Sequence, residues 1–185
     1  QTTKWAMLEE AVIDQHRHKL FEEKLVTNWG GEATALYPLQ TIGDGNCLPH
    51  AAALCACGVQ DRNCDMRNVI ANALLDDRLA QFVYECWSQK ERAVSGIGDR
   101  EELDKMWADI VSRCVASKEQ YLEDIHVFAL SQGLRRPVIV FDHMHNEGAY
   151  NADERMQGLY LPYFHRREIC CRDPLTLGYC GDHFV

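Results

Sequence analysis

The chain has 185 residues, 46% hydrophobic and 25% charged, the proportions of a globular domain with one core rather than a disordered segment. Its 28 acidic residues outweigh 19 basic ones for a formal net charge of −9, which argues against binding nucleic acid through phosphate neutralisation. No apolar run approaches the roughly 20 residues of a membrane helix, and Gln1–Trp5 lacks the basic-then-apolar pattern of a secretory leader.

In chain order, the spacing of Trp5, Leu8, Val12, His16, Leu20 and Phe21 predicts an amphipathic helix over roughly 3–26, broken by Gly30 and Gly31. Leu36 to Ile42 reads as a short strand or extended segment leading into the turn Gly43-Asp44-Gly45. The small, apolar run from Cys47 to Cys57 suits a buried helix closed by Gly58. Further helices are expected at about 65–76, 77–92, 100–116 and 119–132, with a loop at Gly96–Gly98. In the last of these, Leu122, Ile125, Val127, Phe128 and Leu130 supply apolar faces, and His126 among them reads as a satisfied core histidine. Asp76-Asp77 and Glu101-Glu102 read as solvated helix starts, and Trp5, Trp29, Trp87 and Trp107 as core or surface anchors.

The texture then changes to strands at Pro137–Phe141, Gly158–Leu161 and Leu175–Tyr179, with the start of a fourth at His183–Val185. Helices followed by strands indicate an α+β domain, a helical lobe packed on a small central β-sheet. With no repeat and no linker, residues 1–185 are expected to form a single domain. The missing initiator Met and an end inside a strand lead us to expect a domain excised from a longer multidomain protein.

Nine cysteines, an odd number at irregular gaps without a Cys-x-x-Cys pair, fit neither a disulfide framework nor ordinary zinc-ligand spacing. The nearest approach to a metal site is His165, Cys170, Cys171, Cys180 and His183. The expectation is that most are buried free thiols in a reducing compartment, the cytoplasm or the nucleus.

The segment Gly43-Asp44-Gly45-Asn46-Cys47-Leu48-Pro49-His50-Ala51 carries the chemistry. Two glycines allow a tight turn, Asn46 is a good N-cap, and Pro49 tolerates a first helical turn. Cys47 then sits at the positive end of a helix dipole, where its thiolate is favoured and exposed N–H groups can receive an oxyanion. A cysteine after a turn is also compatible with a purely structural thiol.

Asp44-Gly45-Asn46-Cys47-Leu48 with His50-Ala51 resembles the nucleophile signature of the ovarian-tumour (OTU) cysteine proteases, and His183-Phe184 resembles the family's terminal His-aromatic strand. Gly58–Asp61, Leu122–Phe128, Arg135–Val140, Gly158–Pro162, Pro174–Tyr179 and His183–Val185 are similar, in colinear order, to the Cezanne, Trabid and tumour-necrosis-factor-induced zinc-finger branch of that family. The resemblance implies a papain-like OTU fold and a cysteine-type deubiquitinase cleaving isopeptide bonds at the C-terminus of ubiquitin. The implied partners are ubiquitin or polyubiquitin chains, with no metal, no organic cofactor, no membrane and no nucleic acid.

By the same resemblance Cys47 is the nucleophile and His183 its general base, with His50, one turn after Cys47, the competing histidine. The position two residues after His183, where many members carry Asn or Asp, holds Val185, which cannot orient an imidazole. The branch draws a carboxylate from the N-terminal helix instead, a position matched by Asp14, with Glu10 one turn earlier as the alternative and a solvated helix charge as the third reading. Asp44 resembles the oxyanion-loop residue, contributing loop shape and a backbone N–H, and is equally an ordinary turn residue. A catalytically inactive OTU-like ubiquitin-binding module in a signalling protein, or a papain-like enzyme acting on another modifier, are the competing functions.

Overall fold

The computed structural model describes Asp14 and residues 38–116, 120–143, 156–180 and 183–185. Among the described residues five helices precede the strands: α1 (Cys47–Cys57), α2 (Asp65–Leu75), α3 (Asp77–Ser95), α4 (Arg100–Ala116) and α5 (Asp124–Leu134). Strands β1 (Val138–His143), β2 (Gly158–Tyr160) and β3 (Leu175–Cys180) follow, with a short 3-10 turn at Arg167–Ile169. The mixed α+β class is the one the sequence implies.

The three strands form one sheet in the order β2-β1-β3. β1 pairs antiparallel with β2, placing Val138 opposite Tyr160, and parallel with β3, placing Val138 opposite Leu175 and His143 opposite Cys180. Central β1 is apolar on both faces, as a strand covered on both sides must be. The fourth strand is reduced to an antiparallel return: Phe184 bridges Tyr179, and Gly178 and Val185 exchange both backbone hydrogen bonds at 2.8 and 2.9 Å. His183 is thereby fixed at the mouth of a tight hairpin, its carbonyl accepting from the Cys180 N–H at 2.9 Å.

The helical lobe is assembled around α2, whose buried residues Arg67, Ile70, Ala71 and Leu74 follow the i, i+3, i+4, i+7 stripe of one helix face. The carboxylate of Asp61 caps it, accepting from the N–H groups of Asp65 (2.6 Å) and Met66 (3.0 Å). α5 lies close against α2 because it carries Gly133, where a Cβ would stand 2.6 Å from Val69 Cγ1. Trp107 of α4 packs on Tyr84 and Trp87 of α3, with ring centroids 5.4 and 5.5 Å apart. α1 lies against β3 and brings Leu48, Ala51 and Ala52 into the core.

Several expectations shift. Asp14 is not helical: its N–H bonds the Pro38 carbonyl at 2.8 Å across the chain, so a helix spanning 3–26 does not run through it. The remainder of that segment, with Glu10, Trp5 and Trp29, lies outside the described residues, as does Leu36 at the start of the expected 36–42 strand. Of that strand, only Leu39 forms a bridge among the described residues.

α5 starts at Asp124 rather than near 119. The Glu123 N–H donates to His126 Nδ1 at 2.8 Å, closing the helix end there and leaving Leu122 as a buried residue ahead of it. The cysteines are all free, but only Cys47, Cys114 and Cys180 are buried; Cys64 and Cys170 are half-buried and Cys55, Cys57, Cys86 and Cys171 face solvent, so most are not the buried thiols expected. No helix among the described residues is long and apolar enough to cross a membrane.

Candidate active site

Cys47 opens α1, and the turn that delivers it depends on Gly45 at φ 84°, a left-handed conformation that costs glycine nothing. Asn46 occupies the N-cap position, yet its side chain does not cap. Its Oδ1 accepts instead from the Nε of Arg67 at 2.6 Å, a correction to the capping role expected for it. The first-turn N–H groups at Cys47 have no intrahelical partner and lie where an oxyanion would form.

Asp44 folds back over this turn. Its Oδ1 accepts from the Asn46 N–H at 3.0 Å and from His50 Nε2 at 3.1 Å. Burial alone would raise the Asp44 carboxyl, but the Asn46 backbone N–H and the charge and hydrogen bond of His50 hold it below its ordinary value. His50 is itself almost fully buried, so its ring acts as a strut under the loop and is engaged with Asp44.

Thr41 was not singled out by the sequence and stands at the centre of the site. Its Oγ1 lies 2.6 Å from His183 Nε2 and 2.6 Å from the Phe184 carbonyl oxygen. A hydroxyl has one hydrogen, and the carbonyl can only accept it, so Thr41 accepts from the imidazole. This fixes His183 as the Nε2–H tautomer with its basic lone pair on Nδ1. Gln60 holds the segment in place, with Oε1 accepting from the Ile42 N–H at 3.0 Å and Nε2 donating to the Gln40 carbonyl at 3.3 Å.

Phe184 is shared between this pair and the thiol: its carbonyl receives the Thr41 hydroxyl, and its backbone N–H is among the groups that lower the Cys47 thiol. Burial pushes the Cys47 thiol above its ordinary value; the N–H groups of Phe184, Leu48 and Cys47 pull it back, and the Asp44 charge adds to the rise. Asp14 is buried and joined to Pro38, three residues before Thr41. His126, by contrast, is a core residue: Nδ1 accepts from Glu123, Nε2 lies 3.1 Å from the Ile110 carbonyl, and burial lowers its pKa.

A cleft of about 460 Å³ opens over Cys47. Tyr121, Glu123 and Asp124 line it on the helical side, and Met156, Tyr179 and Phe184 on the sheet side. Asp124 is ion-paired with Lys90, which also lines the cleft. Among the described residues no three His, Cys, Asp or Glu side chains converge on a metal position. A thiol at a helix start beside a cleft, with an imidazole on the residue next to cleft-lining Phe184, is a set of groups suited to nucleophilic acyl transfer.

Residues 42–184 match the model of the OTU-like cysteine protease family. The chain belongs to that family. It is 35% identical over 196 residues to tumor necrosis factor alpha-induced protein 3 of Mus musculus and 33% identical to that of Homo sapiens, in each case across 97% of this chain and 25% of the relative. Ubiquitin thioesterase trabid of Drosophila melanogaster is 28% identical over 169 residues, across 85% of this chain and 21% of that protein. The chain therefore spans about a quarter of the length of these relatives.

Proposed function

We propose that this OTU domain is a thiol-dependent deubiquitinase that hydrolyses isopeptide bonds at the C-terminus of ubiquitin in conjugates or polyubiquitin chains. The single observation that carries the chemistry is the Thr41–His183 hydrogen bond, which leaves Nδ1 as the base on the residue adjoining the thiol's N–H donor, Phe184. Ubiquitin as the modifier is supported by the name of one relative, a ubiquitin thioesterase.

In this reading His183 Nδ1 takes the Cys47 proton as the sulfur attacks the terminal glycine carbonyl. The oxyanion is received by N–H groups of the turn and first helical turn, whose shape Asp44 maintains. His183 then returns the proton to the leaving lysine amine, and a thioester remains. Water, deprotonated by the same imidazole, attacks the thioester, and the sulfur leaves to recover its proton. Asp14, buried on the Pro38 side of Thr41, is the carboxylate that supports the imidazolium.

The test is a ubiquitin bearing a C-terminal thiol-reactive warhead, incubated with wild type, Cys47→Ala and His183→Ala. A single adduct by intact mass, abolished in Cys47→Ala and slowed in His183→Ala, is the expected result. The burial that raises the Cys47 thiol favours one second reading, a ubiquitin-binding module without turnover. Folded wild type that binds ubiquitin yet forms no adduct selects that reading.

A further inference from the structure

Arg67 is 4% exposed, and its guanidinium makes four hydrogen bonds to uncharged oxygens. Nε donates to Asn46 Oδ1 (2.6 Å), Nη1 to the Arg113 carbonyl (2.6 Å), and Nη2 to the carbonyls of both Gly45 (3.3 Å) and Gln120 (3.2 Å). None of these acceptors is a carboxylate, and among the described residues no ion pair offsets the burial of this charge. A stability role alone would be met better by an apolar residue at this position of the α2 stripe.

The acceptors explain its placement. Gly45 and Asn46 are the turn that aims Cys47. Gln120 immediately precedes Tyr121–Asp124, which line the opposite side of the cleft. One nitrogen, Nη2, therefore ties the nucleophile turn to the far wall. The same turn is gripped on its other side. In a trans peptide the Gly45 carbonyl and the Asn46 N–H point opposite ways, and that N–H goes to Asp44 Oδ1 at 3.0 Å. Arg67 below and Asp44 with His50 above pin a single peptide plane, and its orientation sets the direction of the N–H groups beside the sulfur.

We infer that Arg67 is a positioning residue for the acyl-transfer step: it holds the Gly45–Asn46 peptide and the 120–124 wall in the register that the transition state requires. The inference rests on the hydrolase reading above. Lysine keeps the charge but brings one nitrogen on a flexible stem, so it cannot span Asn46, Gly45, Arg113 and Gln120 together.

The experiment compares wild type, Arg67→Lys and Asn46→Ala, the last removing one acceptor from the turn while leaving Arg67 to its other partners. Hydrolysis of a ubiquitin C-terminal fluorogenic amide is read as separate kcat and KM, iodoacetamide alkylation of Cys47 is read by peptide mass, and folding by near-ultraviolet circular dichroism. Misplacing the reacting geometry lowers kcat about 10- to 100-fold in Arg67→Lys and less in Asn46→Ala, with KM held within about threefold. Alkylation, which needs neither oxyanion donors nor the cleft wall, stays within about threefold of wild type. Folded Arg67→Lys with wild-type kcat overturns the inference, and so do kcat and alkylation falling together in proportion to lost folded protein. Should Arg67→Lys not fold, an unchanged kcat in Asn46→Ala overturns it alone. An inactive wild type overturns the hydrolase reading as well, whereas an active wild type beside a fully active variant overturns only this one.

Discussion

Thr41 Oγ1 accepts from His183 Nε2 at 2.6 Å while donating to the carbonyl of Phe184 at 2.6 Å, so one hydroxyl determines both the tautomer and the tilt of the imidazole. This arrangement resolves a difficulty raised by Val185, which stands where an amide or carboxylate would otherwise serve and which is occupied in backbone pairing with Gly178. The orienting group comes instead from a segment 142 residues away in sequence.

Replacing Thr41 with Val keeps the shape and removes the acceptor. The imidazole loses the Thr41 acceptor, and kcat on a ubiquitin C-terminal amide is expected to fall by about tenfold, the worth of one hydrogen bond of about 1.4 kcal/mol. Thr41→Ser, which restores the hydroxyl, is expected to recover most of the rate. Steady-state kinetics of the two variants side by side check this, and equal rates for Val and Ser would remove Thr41 from the mechanism.

The Cys47 thiol offers a pH signature. Burial raises its pKa and the Asp44 charge raises it further, so the thiolate fraction is small near neutrality and grows with pH. Alkylation of Cys47 is expected to keep rising beyond about pH 8.5 instead of levelling near pH 7 as a strongly activated thiolate does. Asp44→Asn removes one of the charges responsible and shifts this profile to lower pH. Peptide-resolved iodoacetamide kinetics between pH 6 and 10 read both curves, and an unmoved Asp44→Asn profile contradicts the electrostatic account.

The frame of this fold is legible in the amino-acid sequence because it is written in apolar patterns. The α2 stripe repeats at helical spacing, while the small-residue run of α1 and the apolar run of β1 are continuous, as elements buried on all sides are. Thr41 carries no such signal: a lone hydroxyl on an extended segment acquires meaning only when His183 arrives from the far end of the chain. Arg67 was there to be seen, at the first position of the stripe formed with Ile70, Ala71 and Leu74, but a basic residue on a helix reads by default as solvated. At Asp14 itself the helical spacing misled, since a backbone bond to Pro38 outweighs local periodicity at that residue. Asn46 misled differently, its capping propensity being overridden by a buried guanidinium in need of an acceptor.

His126 makes stability depend on pH in a predictable direction. Its ring is fully buried, and burial lowers its pKa below the ordinary value of 6.5 even though the Ile110 carbonyl and the charges of Glu123 and Asp124 pull the other way. As pH falls below that value the unfolded chain takes up a proton that the folded chain refuses. Stability present at neutral pH is therefore lost from about pH 6.5 downward, with this one site contributing a slope of up to about 1.4 kcal/mol per pH unit. Urea unfolding at pH 7.5, 6.5 and 5.5 is expected to show the decline, and His126→Gln to be less stable at pH 7.5 but flatter by about one proton.

At Gly133 two local rules oppose each other, which makes it a sharp test of the packing between α2 and α5. Helix propensity favours alanine by about 1 kcal/mol in a helix interior. The added Cβ would stand 2.6 Å from Val69 Cγ1 and 3.0 Å from the Val69 carbonyl oxygen, and the carbonyl cannot rotate away as a side chain can. Overpacking of this kind typically costs about 1–3 kcal/mol, so Gly133→Ala is expected to lose stability in spite of its propensity. Adding Val69→Ala removes the nearer contact and leaves the carbonyl, so the double variant should recover part of the loss relative to Val69→Ala alone. A double-mutant cycle by urea denaturation measures that coupling, and strictly additive effects would mean the helices separate around the new methyl without resistance.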